Sequence, residues 1–121
     1  MKDLRSRLFD FAVRFIKFLR TLPVNTENKV IRYQLTKSSS SSGANYEEAQ
    51  AASSKADFIF KTELALKEMR ESNYWLRLIE SIQEGNNIDV MELHFLQSES
   101  DELKKILASI IKKTKDHLTG S

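Results

Sequence analysis

The chain has 121 residues, no cysteine, one proline and three glycines. Without cysteine there is neither a disulfide framework nor a zinc–thiolate site. With so few helix breakers, long stretches are free to be continuous helix. No apolar run reaches the ~20 residues of a membrane-spanning helix. Residues 1–22 are apolar-rich, but Arg14, Lys17 and Arg20 fall where a signal peptide carries an uncharged segment. No small-x-small cleavage site follows, and a cytoplasmic protein that stays out of membranes is expected.

Histidine is scarce too. A di-metal carboxylate bundle needs inward Glu-x-x-His pairs. Met91 and Thr114 stand three residues before His94 and His117, the two histidines of the chain. There is no G-x-S-x-G nucleophile turn and no glycine-rich phosphate loop. Glu47 and Glu48 are adjacent and do not share a helix face. These absences leave no catalytic residue, no metal ligand and no cofactor to assign, so a non-enzymatic protein is expected.

Apolar residues make up 40% of the chain and follow a regular pattern, which predicts a folded core rather than disorder. The length suits a single domain, residues 1–121. One stretch, residues 54–84, reads as a long helix with two stripes. Phe58, Thr62, Ala65, Met69, Ser72, Leu76 and Ile79 alternate steps of four and three, a heptad seam. Phe60, Leu64, Trp75, Leu78 and Ile82 lie roughly 100–120° further round. Lys67 and Glu71 interrupt this second stripe, which is left to meet the fourth helix or a second subunit. Ser54 and Asp57 form a capping box, and Gly85 suits the left-handed position after the helix.

A first helix is expected over residues 2–22, stopped by Pro23. Leu4, Leu8, Phe11, Phe15, Phe18, Leu19 and Leu22 form one arc, and Phe9, Val13 and Ile16 a neighbouring strip. Together they cover roughly 200° of the wheel, about twice what one buried face needs. No helix of a four-helix bundle is central, so the strip predicts contact with another subunit. The rival reading, a helix lying on a membrane surface, leaves the stripes of the second and third helices without a partner.

The second helix is placed at residues 26–52, capped by Asn25 or Thr26. Its segment KSSSSSGAN looks like a linker, yet Ile31, Leu35, Ser38, Ser42, Asn45 and Ala49 keep the spacing 4, 3, 4, 3, 4. A seam running through the serines predicts helix, with small residues letting a neighbour approach and phenylalanines of the first and third helices filling the space opposite. Ser hydroxyls can return to the carbonyl four residues back. A turn at Gly85-Asn86-Asn87 leads to a fourth helix over residues 89–118; the alternative readings are a start at the Ser98 or Ser100 caps, or a kink there. Its stripe is Leu103, Ile106, Leu107, Ile110, Ile111 and Leu118. The expected fold is all-α, an antiparallel up-down-up-down four-helix bundle.

The charge balance is only +2, but it is uneven. In an antiparallel bundle the start of the first helix and the end of the fourth share a pole. Lys2, Arg5, Arg7, Lys112, Lys113 and Lys115 would gather there, partly offset by Glu47 and Glu48. Such a patch suits nucleic-acid phosphates. The plain alternative is a solvated face with cations that complement the dipole of a helix C-terminus.

The run Gln34-Leu35-x-x-Ser38 … Asn45-x-x-Glu48, then Asp57-Phe58 and Glu63-Leu64-Ala65 … Glu71-x-x-x-Trp75, resembles the bacterial ribosomal-RNA intervening-sequence proteins. These were first noted as reading frames inside insertions in 23S rRNA genes. The resemblance covers about residues 4–115 and is strongest in the second and third helices. Family members usually carry Glu-Gly where this chain has Glu48-Ala49, which implies a second helix that continues past that point. The resemblance implies an antiparallel four-helix bundle assembled as a ring-like homopentamer, with molecular function unassigned. A similar bundle, the accessory protein of diversity-generating retroelements, is a basic pentamer implicated in binding a reverse transcriptase and nucleic acid. The partners expected are therefore further copies of the chain and RNA or a nucleic-acid-handling protein. Phe9, Val13, Ile16, Phe60, Leu64 and Trp75 are the candidate subunit interface. The alternative is an oligomeric scaffold for another protein, with no nucleic-acid role.

Overall fold

Caps set the helix starts. The structure, a computed structural model, describes residues 2–83 and 88–118. Asp3 accepts from the Ser6 backbone N–H at 2.8 Å and opens α1, Leu4–Leu19. Asn25 does the same for the Asn28 N–H and opens α2, Thr26–Gln50. Ser54 accepts from the Asp57 N–H at 3.1 Å and opens α3, Lys55–Ile82. Asp57 reaches back to the N–H of Ser53 rather than Ser54, a capping box displaced by one residue. Asp89 accepts from the Glu92 N–H at 3.0 Å before α4, Val90–Leu118. α4 is continuous through Ser98–Ser100, where Ser100 donates its hydroxyl to the Gln97 carbonyl. α1 ends three residues earlier than the spacing predicts. Thr21 and Leu22 bond the carbonyls of Phe18 and Leu19 in a tightened last turn before Pro23, a common way for a helix to finish. The cap expected at Gly85 and the turn at Gly85-Asn86-Asn87 lie outside the described residues.

The serine run is helix, and its hydroxyls bond both back along α2, where Ser40 donates to the Thr36 carbonyl four residues earlier at 2.6 Å, and across to α3. Ser38 and Ser72 share a 2.8 Å hydrogen bond between α2 and α3. Ser42 donates to the Ala65 carbonyl at 2.8 Å. Both serines are fully buried. At the far end of the seam Gln83 donates to Asn28 Oδ1 at 2.6 Å, again between buried side chains. Pairs that ascend on α2 thus descend on α3. The same reversal relates α3 to α4, through Glu80–His94, Asn73–Ser100 and Glu63–Lys115. It also relates α1 to α4, through Arg7–Glu99 and Arg14–Glu92. Each helix therefore runs against its neighbours, in the cyclic order α1, α2, α3, α4.

The core is filled from α1 by Phe11, Phe15 and Phe18, whose rings meet edge to face at 5.2 and 6.5 Å. Such pairs contribute about 0.5–1.5 kcal/mol beyond their buried area. The phenylalanines expected from α3 do not join them. Phe58 is half-buried and Phe60 is 59% exposed; Phe60 lies roughly 160° round the helix from the seam position Phe58 and so points away from the core. Met69, Leu76 and Ile79 occupy that seam instead. Gly43 serves the other side of α2: a Cβ built there would lie 3.5 Å from Leu8 Cβ of α1.

Candidate functional site

The second stripe of α3 does not meet α4. The residues buried on that side are Ile59, Leu66 and Asn73, spaced seven apart and so on one face. Asn73 identifies the neighbour, donating to Ser100 at 2.7 Å and to Asp101 at 3.1 Å. Phe60, Leu64 and Trp75 lie roughly 100–140° to the other side of the heptad seam. Leu64, Trp75 and Leu78 are half-buried and Ile82 is exposed. Trp75 donates its indole N–H to Glu71 at 3.4 Å and packs edge-on against Tyr74. Periodicity alone concealed Leu66 and Asn73, since an asparagine in the buried row does not register as apolar.

The α1 strip is also on the surface. Phe9 is 68% exposed, Val13 36%, and Ile16 is half-buried. These three and Ala12 border a groove of about 310 Å³ whose other wall is Gly43 and Ala44 of α2. Arg5 and Glu47 close its end with a bidentate pair at 3.0 and 2.7 Å. Apolar strips thus flank α2 on both sides, one on α1 and one on α3.

Most cations of the expected pole are held by carboxylates. Lys2 pairs with Asp10, Arg5 with Glu47, and Lys115 with Glu63 at 3.3 Å. Arg7 forms a fork with Glu99 and also reaches Glu102. Hydrogen bonding to Glu99 raises its guanidinium above the ordinary value, ahead of the opposing effect of burial. Arg14 forks onto Glu92 with its guanidinium 3.6 Å from the Phe95 ring centroid. This ionic lacing joins α1 to α4. Lys112 and Lys113 are exposed, with no carboxylate partner among the described residues. Lys112 stands about 15 Å further along α4 than Glu102, by helix rise. The ion pairs therefore divide the six expected residues between α1 and the end of α4.

His94 and His117 are exposed, and His94 bonds Glu80 at 3.1 Å. Among the described residues, no group of three or more His, Cys, Asp or Glu is arranged to hold a metal ion. No helix there is long and apolar enough to cross a membrane.

The family model described as 23S rRNA-intervening sequence protein matches residues 3–109. The chain belongs to that family. A similar solved structure is a protein of unknown function from the S23 ribosomal protein family of Bacteroides thetaiotaomicron, determined at 1.70 Å. It is 39% identical, with the match covering 90% of this chain and 95% of that one at a TM-score of 0.77. No curated protein matches. Neither the family nor the solved relative is described by an enzymatic activity.

Proposed function

We propose that this intervening-sequence family protein is a non-enzymatic homo-oligomer, a closed ring of five, that binds RNA. The observation that carries the assembly is the pair of exposed apolar strips flanking α2. Isolated surface apolar residues are ordinary, but contiguous ones mark interfaces. The two strips occupy different flanks, so a contact between Phe9–Val13–Ile16 of one copy and Phe60–Leu64–Trp75 of the next is head-to-tail. Contacts of that kind build rings where the rotation closes and open filaments where it does not, rather than two-fold dimers.

Light scattering on a sizing column is expected to give about five times the 14.0 kDa chain mass. A mass near that of one chain sinks the reading. Phe9→Asp with Val13→Asp is expected to yield a monomer with unchanged helical circular dichroism, since both residues sit outside the core.

RNA is supported by the family's association with ribosomal RNA and by exposed lysines such as Lys112 and Lys113, which a ring repeats around its axis. The carboxylate partners of Lys2, Arg5, Arg7 and Lys115 favour a second reading, an oligomeric scaffold for another protein. A gel shift with structured RNA across a salt series separates the two. Phosphate contacts demand binding at low salt that weakens linearly on a log–log scale as salt rises.

A further inference from the structure

We infer that the RNA contact lies in a trough between α3 and α4, with Arg70, Lys105 and Lys112 as its phosphate ligands. This rests on the RNA reading above and moves its surface away from the α1 pole. Two adjoining hollows, about 300 and 350 Å³, share Leu66, Arg70 and Ala108 and so form one continuous trough. Its apolar lining is Leu66, Ala108 and Ile111. Five cations border it, against the carboxylates of Glu63, Asp101 and Asp116. Lys104 is engaged with Asp101 and Asn73, each at 3.2 Å, and Lys115 with Glu63. Arg70, Lys105 and Lys112 are exposed, with no hydrogen-bonding or ion-pair partner among the described residues.

The contrast with the α1–α4 seam decides the assignment. There, Arg7 and Arg14 are consumed by bidentate carboxylates, and exchanging those for phosphates would leave Glu99 and Glu92 unpaired. In the trough no internal pair has to break. Lys105 and Lys112 are two turns apart on one face of α4, about 10 Å by helix rise, and Arg70 faces them from α3. A guanidinium and two ammonium groups around an apolar floor supply charge and N–H donors but few groups to read base edges. The expected recognition is of backbone shape rather than sequence. The trough lies on the side of α3 away from the Phe60–Leu64–Trp75 strip, so a ring built through that strip leaves it open to solvent.

The test compares Arg70→Glu/Lys105→Glu/Lys112→Glu with an equal charge change elsewhere, Lys17→Glu/Arg20→Glu/Lys29→Glu, on a structured RNA hairpin. Circular dichroism and sizing mass verify both; if the first triple misfolds, the Gln versions replace it. The trough variant is expected to bind on the order of 10–100-fold more weakly at 0.1 M salt, with a log–log salt slope shallower by about 2–3. The control is expected to stay within a few-fold of wild type. Equal losses in both variants, or no loss in the trough variant, overturn the site while the RNA reading stands. Wild type that fails to bind at low salt overturns the RNA reading itself. Displacement of the hairpin by polyglutamate at equal charge concentration as effectively as by unlabelled RNA points to an acidic protein and also overturns the proposal.

Discussion

The buried serine pair between α2 and α3 makes a prediction whose size depends on which partner is removed. Ser38 and Ser72 have no exposed surface, and their hydroxyls are 2.8 Å apart. Ser38 also lies 3.4 Å from the Leu35 carbonyl, whereas the Ser72 hydroxyl has, among the described residues, the bond to Ser38 alone. Ser38→Ala therefore strands a buried hydroxyl on α3, at a cost of about 1–3 kcal/mol. Better helix propensity returns about 0.5 kcal/mol, for a net loss of about 0.5–2.5 kcal/mol. Ser72→Ala leaves Ser38 its weak Leu35 contact and costs about 0.5–1.5 kcal/mol before the same propensity gain. The double variant strands nothing and gains propensity twice, so it is expected near wild-type stability. Urea unfolding followed by circular dichroism, at one fixed protomer concentration because assembly adds to apparent stability, gives all four corners of the cycle. Single effects that add to within about 0.3–0.5 kcal/mol would show the two hydroxyls to be independent and refute the reasoning.

Three further outcomes follow from packing and charge. Phe15→Ala removes a fully buried ring flanked by Phe11 and Phe18 and is expected to cost about 3–5 kcal/mol in the same urea assay; a loss under about 1 kcal/mol contradicts the core described. Gly43→Ala places a methyl at ordinary contact distance from Leu8 and is expected to raise stability by about 0.5–1 kcal/mol, whereas destabilisation shows that α1 and α2 leave no room. Glu68 is held above the ordinary carboxylate value, by burial first and by Glu71 second. The folded chain then holds that proton more tightly than the unfolded chain, so this contribution to stability falls as pH rises through the carboxylate range. Glu68→Gln is expected to melt above wild type at pH 7 and to lose that advantage below about pH 4; an equal offset at both pH values shows that ionisation plays no part.

The helices were legible because their signals are local. Asn25, Ser54 and Asp57 act within one turn, and the seam through the serine run needed only its spacing. The exposed strip of α1 was legible too, as apolar residues beyond what one buried face accommodates. The buried row Ile59–Leu66–Asn73 was not, because whether Asn73 is solvated or bonded to Ser100 depends on a helix 27 residues away.

Charge shows the division most clearly. Composition counts lysines and arginines, but a cation's availability depends on what stands opposite. Arg7 meets Glu99 across 92 residues of sequence, and Arg14 meets Glu92 across 78. No periodicity encodes such a pairing, since it arises from how one helix lies on another. By itself the sequence determined four amphipathic helices, their caps and their seams, through interactions spanning a turn or two. Tertiary structure alone decided which flank each stripe meets and which cations remain unpaired, because both follow from helix neighbours brought together only by packing.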